Sequence, residues 1–201
     1  MAGIVDKHSC LSDLKNATLE LGCGESKLYP RSIGVDVLDY PCVDVVGDVH
    51  DVLDAIPTAS VDHVYSNHFF EHVDDVDRLL DQLGRVMKPG ATMRVLVPHA
   101  LNPHFYSDPT HKSFFALYTF AYLADSKLFH RSVPSYQNSP LFDLVEVRLM
   151  FRSPGWPTRN KVKRVLELLV NSRRSFQEFF EENLSTMLPP YGVDYRLRRK
   201  V

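Results

Sequence analysis

The order of apolar runs predicts an α/β fold: a mostly parallel sheet with helices on both faces. Three observations carry this. Short apolar runs end in Gly, Asp or Asn at residues 18–22, 32–39 and 60–67. A helical pattern follows the third run at 74–87, and another apolar strand run follows that. Strand–helix alternation of this kind builds a parallel sheet. Such sheets bind ligands beyond the carboxyl ends of their strands, where the strand order reverses.

Composition sets the frame. The chain has 201 residues, 44% hydrophobic and 24% charged, so a single globular domain over 1–201 has enough apolar material for a core. The formal net charge of −2 gives no basic field for nucleic acid. No apolar run approaches the ~20 residues that span a bilayer, and "MAGIVDKHSC" lacks a secretory apolar stretch. A cytoplasmic location is the expectation. Cys10, Cys23 and Cys42 lack C-x-x-C spacing and are read as free thiols.

Taken in order, a short polar N-terminal segment covers one end of the domain. Residues 18–22 form a buried strand, "SIGVDVLD" a second, "CVDVVGDV" a weaker third and "SVDHVYSN" another. Val76, Leu79, Leu80, Leu83 and Met87 give the 74–87 helix one apolar face, with Asp74, Asp75 and Asp77 at its N-terminus. "KPG" is its stop signal, and "ATMRVLVP" the next strand. "PHALNPHFYSDPTHKSFF" reads as a long loop entering an aromatic helix over 113–124. Together with "FHRSVPSYQNSP" it makes a lid or acceptor loop over about 99–140. "LFDLVEVRLMF" resumes as a strand. Helices follow within about 158–188, in two pieces, and "VDYRLRRK" closes as an antiparallel strand at or near the edge. The first of those helices sets Val162, Val165, Leu166 and Leu169 against a basic face, an amphipathic surface pattern.

"LELGCGESK" poses the cofactor question. Its glycines let a ligand approach the backbone. Gly22 and Gly24 fit the start of the dinucleotide pattern G-x-G-x-x-G, but Lys27 stands at the third glycine, and no Walker loop occurs. A nicotinamide-dependent oxidoreductase therefore remains only an alternative. So does a non-catalytic binding subunit.

The succession "LELGCG", Asp36, "GDVHDVLDAIP", "SNHFFEHV" and "LGRVMKPGATMRVLVP" resembles the class I S-adenosylmethionine-dependent methyltransferases over residues 17–98. The resemblance implies a Rossmann-like three-layer αβα sandwich around a mostly parallel seven-stranded sheet with an antiparallel edge strand. It implies that S-adenosylmethionine is bound and S-adenosylhomocysteine released. Glu20, Gly22, Cys23 and Gly24 would form the loop beside the methionine part. Asp36, with Val37, would meet the ribose, and Asp48 with Val49 the adenine edge. Ser66, Asn67 and His68 would lie close to the sulfonium. "SDPTHKSFFALYTF" and "PPYGVDYRLRRK" are similar to segments of small methyltransferases linked to polysaccharide and other glycan biosynthesis. That likeness implies O-methylation of a sugar or related small metabolite.

A hydroxyl acceptor must lose a proton, and neutral histidine suits the task. His111 and His68 are the candidate bases. Glu71 and His72 are read as structural, holding backbone at a helix start. The His68-x-x-Glu71-His72 run also resembles the Glu-x-x-Glu-His metal motif of certain small-RNA 2′-O-methyltransferases and ubiquinone-pathway O-methyltransferases. With His111 it would suit zinc better than magnesium, but His68 replaces the first glutamate of the pattern, which weighs against a divalent metal. The expected partner is a small-molecule acceptor such as a sugar or glycan precursor, with homo-oligomers left open.

Overall fold

In a computed structural model, which describes residues 3–12, 14, 16–134 and 140–201, the chain forms one mixed eight-stranded sheet. The strands are β1 (Val5–Asp6), β2 (Ala17–Leu21), β3 (Ile33–Asp36), β4 (Val45–Val46), β5 (Val61–Asn67), β6 (Met87–Pro98), β7 (Phe142–Met150) and β8 (Gly192–Arg199). They lie in the order β1-β4-β3-β2-β5-β6-β8-β7. The five from β4 to β6 are mutually parallel; β8 is antiparallel to β6 and β7, and β1 to β4. The order reverses at β2, which has β3 on one side and β5 on the other. The seven expected strands are all present, and the N-terminal segment adds an eighth at the far edge. The closing strand β8 lies one place inside the edge, which β7 occupies.

Helices are α1 (Val49–Ala55), α2 (Val76–Val86), α3 (Thr119–Leu123), α4 (Pro157–Val170) and α5 (Arg174–Asn183). Asp48 caps α1 by accepting from the His50 N–H at 2.8 Å, and Asp75 caps α2 by accepting from Arg78 N–H at 2.9 Å. Helix α2 ends at Val86, and Met87 through Gly90 already belong to β6, so "KPG" lies inside a strand. The aromatic helix is only five residues long, with the expected first turns drawn out as loop.

The apolar core gathers on one face of the sheet. Leu19, Leu21, Val64, Met93, Val95, Tyr195 and Leu197 meet Leu53, Leu79, Leu83, Phe120 and Phe180 from α1, α2, α3 and α5. The opposite face is polar. Register aligns Thr18, His63, Thr92 and Arg198 in one row, and Glu20, Tyr65, Arg94 and Arg196 in the next. Arg94 forms a two-point pair with Asp194, at 3.0 and 2.8 Å, and lies over the Tyr65 ring. The links from β2 to β3 and from β3 to β4 contain no helix among the described residues. These two crossings therefore add no helix to that face, which agrees with its polar rows.

Eleven residues, 22–32, connect β2 to β3. They include two glycines at positive φ and Pro30, which leaves little room for a helix. Buried Glu20 takes over the work of satisfying that backbone. Its carboxylate accepts from Leu28 N–H at 2.6 Å, Tyr29 N–H at 3.1 Å and Ser32 Oγ at 2.9 Å. No helix among the described residues is long and apolar enough to cross a membrane.

Candidate active site

The carboxyl ends of β2, β3, β4 and β5 gather most of the residues singled out in the sequence. Gly22 has φ +64 and donates its N–H to Val35 O at 2.9 Å. A Cβ at Gly22 would fall 2.6 Å from the Cβ of Phe69, so this turn and the segment after β5 pack directly together. Gly24 has φ +56, and a Cβ there would meet nothing within 4 Å. At Gly24 the turn is backbone beside open space, the cradle that a close-lying ligand requires.

Asp36 ends β3. Its Oδ2 accepts from the Gly24 N–H at 2.8 Å and its Oδ1 from the Leu38 N–H at 2.9 Å. These bonds fix the carboxylate and leave lone pairs on both oxygens. Val37 and Leu38 beside it are exposed apolar side chains. Asp48 is the cap of α1 and Val49 its first residue, so the carboxylate near the proposed adenine edge already holds one backbone donor. Ser66 is fully buried at the end of β5, and its Oγ has no hydrogen-bond partner. Its side chain lies in the core-facing row with Leu21 and Val95, beneath the strand ends. Asn67 is the exposed last residue of the strand.

Two assignments acquire other roles. Glu20 is committed to the 28–32 backbone. Cys23 is buried, and its sulfur lies where a Cβ on Gly34 would be 2.8 Å away. Burial, with Cys42, Asp36 and Glu20 nearby, pushes the Cys23 thiol up to about 12. It stays protonated near neutral pH and acts as a packed neutral group.

His68 follows β5 with φ +55, a left-handed backbone that aims the chain back across the strand ends. Its Nδ1 lies 3.2 Å from Glu71 Oε1, and its side chain is 44% exposed, so one ring edge is held while the other meets solvent. Glu71 and His72 lie in a 3-10 turn, Phe70–His72. The Glu71 side chain is fully buried, its Oε2 unpartnered, while its backbone O accepts from Lys112 and Ser113 N–H at 2.7 and 3.1 Å.

Those last bonds tie the Pro- and His-rich segment down. Further ties run from Ala100 N–H to Phe115 O at 2.7 Å and from Asn102 Nδ2 to Tyr191 O at 2.6 Å. Buried His99 accepts from Leu101 N–H at Nδ1 and faces Glu181 with Nε2 at 3.2 Å. The segment is a strap fastened across the strand ends. Of the loop 99–140, residues 135–139 lie outside the described residues. The strap brings His111 to His72, with ring centroids 4.8 Å apart, and to Phe105, whose carbonyl meets His111 Nδ1 at 2.8 Å. Of the two histidines after β5, His111 thus meets His72, whereas His68 pairs with Glu71. Tyr191 lies 6.4 Å from the His68 ring, a neighbour that no local motif signals, because only the long return through α4 and α5 brings it there.

A groove of about 550 Å³ lies on the open face between Thr18, Tyr29, Tyr65, Arg94 and Arg196. It is on the sheet surface, away from the strand ends where the chemically capable groups collect.

A fixed acid after the second parallel strand, a two-glycine turn after the first and a break in strand order between them define the class I methyltransferase fold. Residues 19–95 match a family model described as a methyltransferase domain. Comparison with curated proteins found no match. Among solved structures, the chain is similar to an S-adenosylmethionine-dependent methyltransferase from Archaeoglobus fulgidus, with 17% identity and a TM-score of 0.55 over 95% of this chain and 90% of that one. It is similar to a putative sarcosine dimethylglycine methyltransferase from Galdieria sulphuraria, at 14% identity and TM-score 0.54, covering 96% and 82%. A third is phosphoethanolamine N-methyltransferase 2 of Haemonchus contortus in complex with S-adenosylhomocysteine, at 16% identity and TM-score 0.52. There 92% of this chain aligns with 49% of that one. At these identities the likeness is one of fold.

Proposed function

We propose that the chain is an S-adenosylmethionine-dependent methyltransferase that methylates a hydroxyl of a sugar or related small metabolite. The observation that carries this reading is the cradle at the switch point. Gly22 and Gly24 hold positive φ, Gly24 faces open space, and Asp36 presents a fixed carboxylate beside it. These groups fit a nucleoside with vicinal ribose hydroxyls, and the exposed Val37 and Leu38 offer apolar surface for a flat base. S-adenosylmethionine supplies a methyl group on positively charged sulfur, open to in-line displacement.

The helix-free link favours this cofactor over a dinucleotide. Dinucleotide sites place the pyrophosphate at the N-terminus of the helix after the glycine turn. Here no such helix follows, and Lys27 is engaged with Ser32 O at 2.9 Å and Asp44 at 2.8 Å. A sulfonium nucleoside carries no phosphate and loses nothing.

An O-methylation reading rests on His68. A carboxylate at Glu71 accepts from the Nδ1–H of His68, which leaves Nε2 with its lone pair on the exposed ring edge. Nε2 can take the acceptor hydroxyl's proton, and Glu71 steadies the resulting imidazolium. His111 stands beside this pair on the strap as the second candidate. An amine acceptor would need no such base. The likeness of the "DPTH" segment to glycan-pathway methyltransferases supports a sugar-like acceptor, and a reduced intracellular setting agrees with three free cysteines.

Transfer of a ¹³C-labelled methyl group into fractionated small-molecule extract tests the reading. O-methyl resonances in the product, lost with His68→Ala, are expected. Exclusive N-methyl products would overturn the hydroxyl assignment, and labelled product undiminished in His68→Ala would remove His68 as base.

A further inference from the structure

We infer that Glu71, His72 and His111 form a binding site for one divalent first-row transition ion, beside the methyl-transfer site. One donor atom from each of the three lies within 4.8 Å of the others. Proximity alone would mean little, because carboxylates and histidines often cluster without metal. The hydrogen bonds around the three distinguish this group. Glu71 is fully buried, and its Oε2 has no donor. An unpaired buried carboxylate oxygen is costly unless a cation completes it.

The two imidazoles are oriented by their neighbours. His111 Nδ1 lies 2.8 Å from Phe105 O, and a carbonyl can only accept, so Nδ1 carries the hydrogen. His72 Nδ1 lies 2.9 Å from Thr110 Oγ1. Thr110 spends its own hydrogen on Asp108 Oδ1 at 2.6 Å, so its oxygen accepts from His72. Both rings therefore hold their hydrogen at Nδ1 and a lone pair at Nε2, the form in which histidine binds metal. Asp108 Oδ2 is 3.7 Å from His111 Nε2, beyond hydrogen-bonding distance, and adds negative potential. Lys112 Nζ, the nearest cation in sequence, is turned away to Asp74 at 2.6 Å.

Asp108, Thr110 and His111 thus act together with Glu71 and His72, two of them as supports and three as ligands. Two nitrogens and one carboxylate suit zinc or a related ion, with a position left for an exogenous oxygen. Magnesium prefers an all-oxygen shell. Resting on the function proposed above, that position would take the acceptor hydroxyl and lower its pKa, leaving His68 to remove the proton. His68 lies on the same Glu71 carboxylate, through Oε1, so the two roles share one anchor.

The test is zinc binding by the full-length chain after chelator treatment, with zinc alone as the probe. One zinc per chain is expected, with affinity at least 100-fold lower in His72→Ala and His111→Ala. Cobalt in place of zinc should give visible d–d bands that the variants lose. Thr110→Val removes only the support of His72, and should weaken zinc binding about 10- to 100-fold in a folded chain. It decides the matter should a histidine variant unfold. His63→Ala on the open face should bind as the parent does. Parent protein without zinc at micromolar concentration, or undiminished zinc in the His72→Ala/His111→Ala double variant, would overturn the site. Calorimetry with S-adenosylhomocysteine on the same samples separates the two readings: zinc without the nucleoside removes the methyltransferase function, and the nucleoside without zinc removes the metal.

Discussion

The glycine turn at 22–24 and the Glu71–His72–His111 cluster are neighbours built by opposite means. The turn is backbone: positive φ, open space, and one aspartate holding an N–H. The cluster is side chain, carried by two segments about 40 residues apart and closed only when the strap docks on Glu71 O. A backbone site fails by strain or filling, and a side-chain site by loss of one atom. The two should therefore respond differently to substitution, and that difference can be measured.

The largest effect is expected at Gly22→Val. A left-handed backbone costs a residue with a Cβ roughly 1–2 kcal/mol, and overpacking about 1–3 more. The Phe69 contact at 2.6 Å applies both penalties here. Thermal unfolding should fall by several degrees, and S-adenosylhomocysteine binding should vanish. Next is Asp36→Ala, which frees Gly24 N–H and Leu38 N–H together. Nucleoside affinity measured by calorimetry should drop at least 100-fold, with the fold kept. Gly24→Ala sharpens the contrast. Its Cβ enters empty space, so stability should fall only by about 1 kcal/mol of backbone strain. Affinity should fall more than tenfold, because that space belongs to the ligand. Unchanged affinity would place the ligand elsewhere.

On the side-chain half, His111→Ala should lower kcat well beyond tenfold while nucleoside affinity changes less than threefold. Equal losses in both would make His111 a part of the nucleoside site. The smallest effect concerns Cys23. With its thiol raised to about 12, iodoacetamide labelling at Cys23 itself, read by peptide mapping to separate it from half-buried Cys10 and Cys42, should stay flat from pH 7 to 9 and appear only on unfolding. The sign follows from the shift. A thiol whose folded pKa exceeds its unfolded one stabilises nothing below the unfolded value, and costs stability as pH rises past it.

Much of this was legible in the sequence because the signals were local. Each of the parallel strands β2, β3 and β5 ends where an apolar run meets Gly, Asp or Asn, and Asp75 caps α2 as its position suggests. Other features depend on distant residues. The helix-free crossing follows from an eleven-residue link, yet Glu20 reads equally well as a site acid until its bonds to residues 28–32 are seen. The partner of His111 depends on how the strap crosses Phe70–His72, which no spacing encodes. Thr110 sits inside a quoted motif, but its hydrogen acquires meaning only between His72 and Asp108.

The central claim is a phosphate-free nucleoside seated on the turn at the switch in strand order. Calorimetric titration of the folded chain with S-adenosylhomocysteine, in parallel with NADH, tests it most directly. The account predicts one S-adenosylhomocysteine per chain, binding lost in Asp36→Ala, and no heat from NADH. Saturable NADH binding that Asp36→Ala abolishes, with none for S-adenosylhomocysteine, would contradict it.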